Sequence, residues 1–241
     1  MEKTVSEAIE FRRSVRKYDP NQSLNHEDVK ECIRQATLAA TSSNLQLWEF
    51  YHITDSEILK KLSKACFSQS AASTAVQLVI PVVRKDLWRK RSTANIDFHK
   101  QQFEAQEVRN AKKEKRTLKY YEKLIPVLYR EFFGIFGFLK KVFAKTTGIY
   151  RPMYREVNRG DLRVIAHKST ALAAQNFMIS MAAKGIDTCP MEGFDSIRVK
   201  RILNLPRKAE ISMVIGCGYR DEGGIYGPRF RVPFKDVYYS I

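Results

Sequence analysis

Four short stretches of this chain carry side chains that could meet a ligand. RRSVR at 12–16 sets three guanidinium groups, those of Arg12, Arg13 and Arg16, around the hydroxyl of Ser14. Arginine presents a planar fork of donors that matches phosphate oxygens, so the cluster suits a phosphorylated ligand. Read alone, it fits a solvated basic helix end equally well. TSSNLQLW at 41–48 offers small hydroxyls and two amides, as a binding loop or a plain capping loop would. In CPMEGF at 189–194, Pro190 fixes φ and Gly193 permits close backbone approach, which suits a flat ligand and also an ordinary turn. GPRFR at 227–231 would bring Arg229 and Arg231 to one face if extended; the alternative is an exposed edge strand.

Other chemistries find less support. Cys32, Cys66, Cys189 and Cys217 are scattered without a CxxC pair, against a metal knuckle or disulfide framework and for a reducing compartment, with cytoplasm expected. His26, His52, His99 and His167 fall outside the four stretches, and no nucleophile or general base stands out, so no catalytic side chain and no metal are expected. The opening MEKTVSEAIE lacks the apolar region of a secretory signal.

The elements that must position these stretches follow from periodicity. A short helix is predicted over 4–12, stopped by Pro20, and a second from Asn25, with Val29, Cys32, Ile33, Ala36 and Ala40 on one face. WEFYHIT at 48–54 reads as a strand, 56–66 as an amphipathic helix, and VQLVIPVV at 76–83 as a buried strand. Residues 161–184 read as a buried central helix ended by Gly185, and CPMEGF follows as a turn. A helix capped by Asp195 ends before Pro206, and ISMVIGCG at 211–218 reads as the last buried strand. The tail, 219–241, is too apolar for a loose terminus.

The segment 84–160 departs from both flanks. It holds 20 Lys/Arg against 8 Asp/Glu, so most of the formal net charge of +16 lies there. Such a balance asks for an anionic partner. Helices are predicted around 97–125 and 127–145. The aromatics Trp88, Phe98, Phe103, Tyr120, Tyr121, Tyr129, Phe132, Phe133, Phe136 and Phe138 either pack on the core and one another or line a lid. An interfacial helix at FFGIFGFLKKVF, 132–143, is set aside because Gly134 and Gly137 each weaken a helix by about 1 kcal/mol.

In order and spacing the four stretches resemble the FMN-dependent nitroreductase family. There an RRSxR follows the first helix, a PSxxNxQPW segment the second, and a Pro-x-Glu-Gly-Phe turn the long buried helix. A basic pair lies near the C-terminus. Here these read RRSVR, ATSSNLQLW (40–48), PMEGF and RFR, and the resemblance covers roughly 1–83 and 161–241. It implies that Arg12, Arg13 and Ser14 hold the FMN phosphate and ribityl chain, with Arg229 and Arg231 closing over the phosphate. Arg16 would lie at the pyrimidine side of the isoalloxazine, where a fixed cation favours the reduced ring. Pro190, Met191, Glu192 and Gly193 would pack on one ring face, a backbone N–H directed at N5, with Glu192 and Arg16 as electrostatic support. Ala40, Thr41, Ser42 and Asn44 would come from the partner subunit. Ala40 and Leu47 replace the usual prolines, and within SQSA, 68–71, Gln69 is the substitute for a pyrimidine-edge Asn or basic residue.

The resemblance implies an α+β fold: one domain over 1–241, with a mixed, mainly antiparallel central sheet flanked by helices. Residues 84–160 would be a basic helical insertion and possible lid within it, and the tail would reach the dimer partner. It implies a homodimeric NAD(P)H oxidoreductase carrying FMN, with NADH or NADPH as donor. Nitroaromatic, quinone or related small molecules would accept two electrons in ping-pong fashion. Alternatives are a flavin-dependent reductive dehalogenase or dehydrogenase of the same superfamily and, in a different class, a nucleic-acid-binding module using the insertion. Nucleic acid and membrane contact are not the preferred partners.

Overall fold

The sheet is built on one strand that is buried along its whole length. In the computed structural model, which describes residues 2–108, 110–131 and 135–241, this strand is β2 (Gln77–Val83), and every residue of QLVIPVV is buried. Its partners are β1 (Trp48–Ile53) on one side and β4 (Glu210–Ile211) and β5 (Val214–Gly218) on the other, with β3 (Asp187–Met191) beyond β5. All strand pairings are antiparallel. The only parallel element among the described residues is an isolated bridge between Ser14 and Thr188 at the outer edge of β3.

The predicted strand over 211–218 is interrupted. Val82 faces Ile211 but Val79 faces Ile215, so one extra residue stands opposite β2, a bulge at Ser212 and Met213. Pro81 explains its place. The Pro81 carbonyl accepts from Ser212 N–H at 3.0 Å, and a strand residue turns its N and O to the same neighbour. The nitrogen that cannot donate therefore faces the bulge, where no ladder bond is lost.

Helices cover both faces. On one, α2 (His26–Ala36) and the long α9 (Arg159–Ala183) bring Val29, Cys32, Phe177, Met178 and Met181 against Val79, Ile215 and Cys217. On the other, α3 (Ser56–Ala65), α4 (Ser70–Ser73) and α10 (Ser196–Ile202) pack Leu62, Ala65, Ala71 and Val199 against Leu78, Ile80 and Val82. The helix starts follow their caps. Thr4 and Glu7 form a capping box on α1 (Val5–Phe11), Asn158 and Asp161 one on α9, and Asn25, Asp55 and Asp195 cap α2, α3 and α10. Gly185, at φ +76°, follows the end of α9 as expected.

Two boundaries differ from the pattern. Helix α2 stops at Ala36, so Ala40 lies beyond it in a loop where Ser43, Asn44 and Gln46 adopt left-handed φ. The described residues of 84–160 are mainly helical, as expected, but with other boundaries: α5 (Trp88–Glu104), α6 (Ala111–Lys119), a π-turn at Tyr120–Leu124 running into α7 (Ile125–Tyr129), and α8 (Ile135–Tyr150). Pro126 falls in the first turn of α7, where its missing N–H is harmless, so no break occurs there. The expectations for Phe132, Phe133 and Gly134 lie outside the described residues. Tyr121, Ile125 and Tyr129 are buried with Leu45, Leu47, Val83, Leu162 and Ala166 in a third cluster that ties this segment to the sheet end.

Candidate functional site

The first predicted stretch leaves α1 and runs along β3. Arg12 is the residue that caps α1, its N–H on the carbonyl of Ala8 at 3.0 Å. Beyond it the backbone is held by Val15 N–H to Thr188 O (3.3 Å) and Arg16 N–H to Gly224 O (2.8 Å). Val15 and Tyr18 are fully buried and anchor the segment. The Tyr18 hydroxyl donates to Gly216 O at 2.8 Å, and Tyr18 N–H donates to Thr74 Oγ1. A Cβ at Gly216 would overlap the carbonyl of Ala71, so this approach requires glycine.

The C-terminal stretch closes over the first. Residues 219–224 pair with 16–19 through Asp19 N–H to Tyr219 O and Asp221 N–H to Lys17 O. They are fixed by Arg220, whose N–H and Nε each donate to buried Asp187 at 2.9 Å and whose Nη2 donates at 2.5 Å. The Arg220 guanidinium also rests on the Phe11 ring, 4.4 Å from its centroid. The outcome is a cavity of about 250 Å³ lined by Arg12, Arg13, Ser14 and Arg16 from one segment and by Tyr226, Gly227, Arg229 and Arg231 from the other.

Five arginines thus face one another across more than 200 positions of sequence. Among the described residues, only Arg229 of the five has a carboxylate partner, Glu10 at 3.1 Å; its Nη2 donates to the carbonyls of Glu10 (2.6 Å) and Arg12 (2.9 Å). Arg13 donates to Gly227 O at 2.6 Å and Arg231 to Phe230 O at 2.6 Å, so both still carry unopposed charge. Burial, together with the charges of Arg229 and Arg231, pushes the Arg12 pKa below its usual value, although a guanidinium stays protonated. Arg16 stacks on Tyr226, 5.3 Å from the ring centroid. Lys17, next in sequence, forms an exposed pair with Asp221 at 2.6 Å and is not part of the lining. Burial raises the pKa of Cys189 on β3, opposed by the nearby charges of Arg16 and Arg12.

The other predicted residues fall into two groups. Pro190 and Met191 are not in a turn: they form the end of β3, Pro190 opposite Ile215, tolerated because β3 is the outermost strand. The turn starts at exposed Glu192. Gln69 reaches it, donating from Nε2 to Gly193 O at 2.6 Å and to Cys66 O at 3.0 Å, while Asp195 N–H donates to Ala65 O. Gln69 and Pro190–Gly193 therefore meet at the end of β3, outside the arginine cavity but on the strand whose Thr188 pairs with Ser14.

Ala40, Thr41, Ser42 and Asn44 do not join either group within this chain. Ser42 N–H donates to Ser169 Oγ on α9, Thr41 Oγ1 accepts from Gln46 N–H, and Asn44 exchanges bonds with Asn95 on α5 at 3.0 Å. Sequence reasoning missed Arg220, Asp187 and Tyr226. Their signals were present: an acid inside the apolar run GIDTCP, a cation in YRDEGG, and an aromatic just before GPRFR.

Among the described residues no helix is long and apolar enough to cross a membrane, and no group of His, Cys, Asp and Glu could hold a metal. A provisionally named NAD(P)H nitroreductase of Staphylococcus epidermidis is 27% identical over 233 residues, covering 94% of this chain and 92% of its own. A provisionally named nitroreductase of Bacillus subtilis shares the fold at a TM-score of 0.74 and 21% identity, with 98% of both chains covered. Another, from Exiguobacterium sibiricum and solved in complex with FMN, superposes at a TM-score of 0.67 and 20% identity, covering 99% of this chain and 98% of its own. The α+β fold with its antiparallel sheet is thus that of the nitroreductases, and the Nitroreductase family profile matches residues 9–219 without excluding the basic segment. With the profile spanning most of its length, this chain belongs to the Nitroreductase family.

Proposed function

We propose that this protein is an FMN-dependent oxidoreductase that takes reducing equivalents from NADH or NADPH and passes two electrons to nitroaromatic, quinone or related acceptors. The observation that carries this reading is the cavity of five arginines with one carboxylate between them. Such a cluster repels itself unless an anion is present, and a phosphate monoester supplies both the charge and the oxygens that guanidinium forks bind. The structure fits the cofactor on this ground.

When bound, FMN supplies two-electron chemistry at its flavin ring. Arg12, Arg13 and Ser14 would hold its phosphate from one segment and Arg229 and Arg231 from the other. Arg16, which rests on Tyr226, would lie toward the ring end and stabilise negative charge there. Pro190, Met191, Glu192 and Gly193 would orient one ring face, with Gln69 holding the Gly193 carbonyl and so fixing the turn.

The working unit in this reading is a homodimer in a reducing, cytoplasmic setting, with which four unpaired buried cysteines accord. The tail supports it. Phe230, Phe234, Val237, Tyr238 and Tyr239 are exposed within this chain and call for cover by a second copy. Ala40, Thr41, Ser42 and Asn44 would reach the partner's site. Residues 84–160 would act as a lid there, since Tyr120 bonds Ser43 Oγ at 2.6 Å and Tyr121 donates to Ser43 O at 3.3 Å, in the same loop. The donor and the acceptor would use one face in turn. Purified protein should be yellow, with absorbance near about 450 nm that bleaches anaerobically with NADH or NADPH and returns on adding a quinone. Colourless protein that takes up no FMN would refute the reading.

A further inference from the structure

Helix α8 (Ile135–Tyr150) is turned the wrong way round for a helix packed on a protein. Its small residues, Gly137, Ala144 and Gly148, share one side, and Gly137 and Ala144 are its only buried residues. A Cβ at Gly137 would come within 3.1 Å of a Glu131 carboxylate oxygen, and one at Gly148 within 2.5 Å of the Arg155 guanidinium. The glycines are therefore where the helix touches the protein, and Gly137 does not break it. Lys140 lies on this side too, donating to Leu128 O at 2.7 Å and pairing with Glu131 at 3.1 Å.

The apolar side faces outward. Ile135, Phe138, Leu139, Phe143, Ile149 and Tyr150 are each more than half exposed, and with Val142 they recur at the three- and four-residue spacing of one helix face. Lys141 and Lys145, one turn apart, border that face and are exposed; Lys141 has a carboxylate only at 3.7 Å, from Asp161. The sequence IFGFLKKVFAKTTGIY contains no Asp or Glu.

We propose that α8 is an interfacial helix that lays this face into an anionic lipid surface. The helix is about 24 Å long, too short to span a bilayer core of about 30 Å, so it lies in the plane of the interface. Aromatic and aliphatic side chains enter the acyl boundary, and Lys141 and Lys145 meet lipid phosphates. A second copy of this chain is the poorer occupant, because face-to-face packing would oppose the two lysine pairs across an interface without a carboxylate on either helix. This use of α8 stands apart from the flavin reading and does not depend on it.

Co-sedimentation of the full-length protein with phosphatidylcholine vesicles, with and without about 30% phosphatidylglycerol, tests the proposal. The protein should partition onto the anionic vesicles at low salt and lose most of that binding in high salt. Lys141→Gln with Lys145→Gln should weaken partition about 30-fold. Leu139→Glu with Phe143→Glu should abolish it while far-UV circular dichroism and thermal midpoint stay near wild type. Absence of partition onto the anionic vesicles would overturn the proposal. So would partition unchanged by Leu139→Glu with Phe143→Glu, which would mean general charge attraction. A change in sedimentation coefficient of that variant in vesicle-free buffer would also overturn it, since the face would then be buried between copies.

Discussion

Arg12 and Arg16 stand two positions either side of Ser14 and line one cavity, yet their surroundings differ. Arg12 is crowded by Arg229 and Arg231, whereas Arg16 has the Tyr226 ring as neighbour. Arg12→Ala should therefore weaken FMN binding by about 10–100-fold, the value of one charged hydrogen bond to phosphate. Arg16→Ala should keep FMN but lower its two-electron midpoint potential by about 30–60 mV, from the loss of a cation beside the ring. Flavin fluorescence titration and a dye-equilibrated redox titration measure the two. A second residue-scale expectation concerns His52, whose Nε2 meets Gln77 Oε1 at 2.6 Å while Gln77 Nε2 donates to Leu24 O at 2.7 Å. Burial lowers the pKa of His52 below its usual 6.5, opposed by the Gln77 bond. The unfolded chain thus binds the proton first, and stability present above about pH 6.5 declines as pH falls toward the folded pKa. Thermal melts from pH 7.5 down to pH 5.5 should show a falling midpoint, and His52→Phe should flatten that limb.

At the scale of elements, the cavity exists because the segment after β5 is pinned to β3 by Arg220 and Asp187. Asp187 is almost fully buried, so Arg220→Ala leaves a carboxylate without its partner. The cost expected is about 3 kcal/mol, read as a lower midpoint in urea, with a larger loss of FMN affinity than an exposed arginine would cause. Sequence alone made much of this arrangement legible. The runs of β1 and β2, the caps Asn25 and Asp195, and Gly185 after α9 are local signals, and the structure carries them at the predicted positions. What it did not make legible is set by partners distant in sequence. Cys189–Met191 reads as part of a turn because of Pro190; it belongs to a strand because β5 pairs along it, with Pro190 opposite Ile215. The break at Ser212 depends on Pro81 in another strand. In residues 84–160 the high density of lysine and arginine obscures the helix boundaries, and α8 inverts the usual pattern by burying glycine and exposing phenylalanine. For the site, the order of the four stretches was visible, but not that RRSVR and GPRFR share one cavity while Gln69 sits at the far end of β3.

At the scale of the whole molecule, the proposed homodimer would cover the exposed apolar tail. Deleting residues 232–241 keeps Arg229 and Arg231 but removes Phe234, Val237, Tyr238 and Tyr239. Sedimentation velocity should then show a dimer converted largely to monomer, with FMN content falling in parallel. An intact dimer would assign the interface elsewhere. The central claim is that Arg12, Arg13, Arg229 and Arg231, gathered from the two ends of the chain, form the phosphate end of an FMN site, with Arg16 toward its ring end. Its most direct measurement is titration of the cofactor-stripped protein with FMN and with riboflavin, which lacks the phosphate. FMN should bind at least about 100-fold more tightly, and Arg12→Ala should remove most of that difference. Equal affinity for FMN and riboflavin would contradict the account.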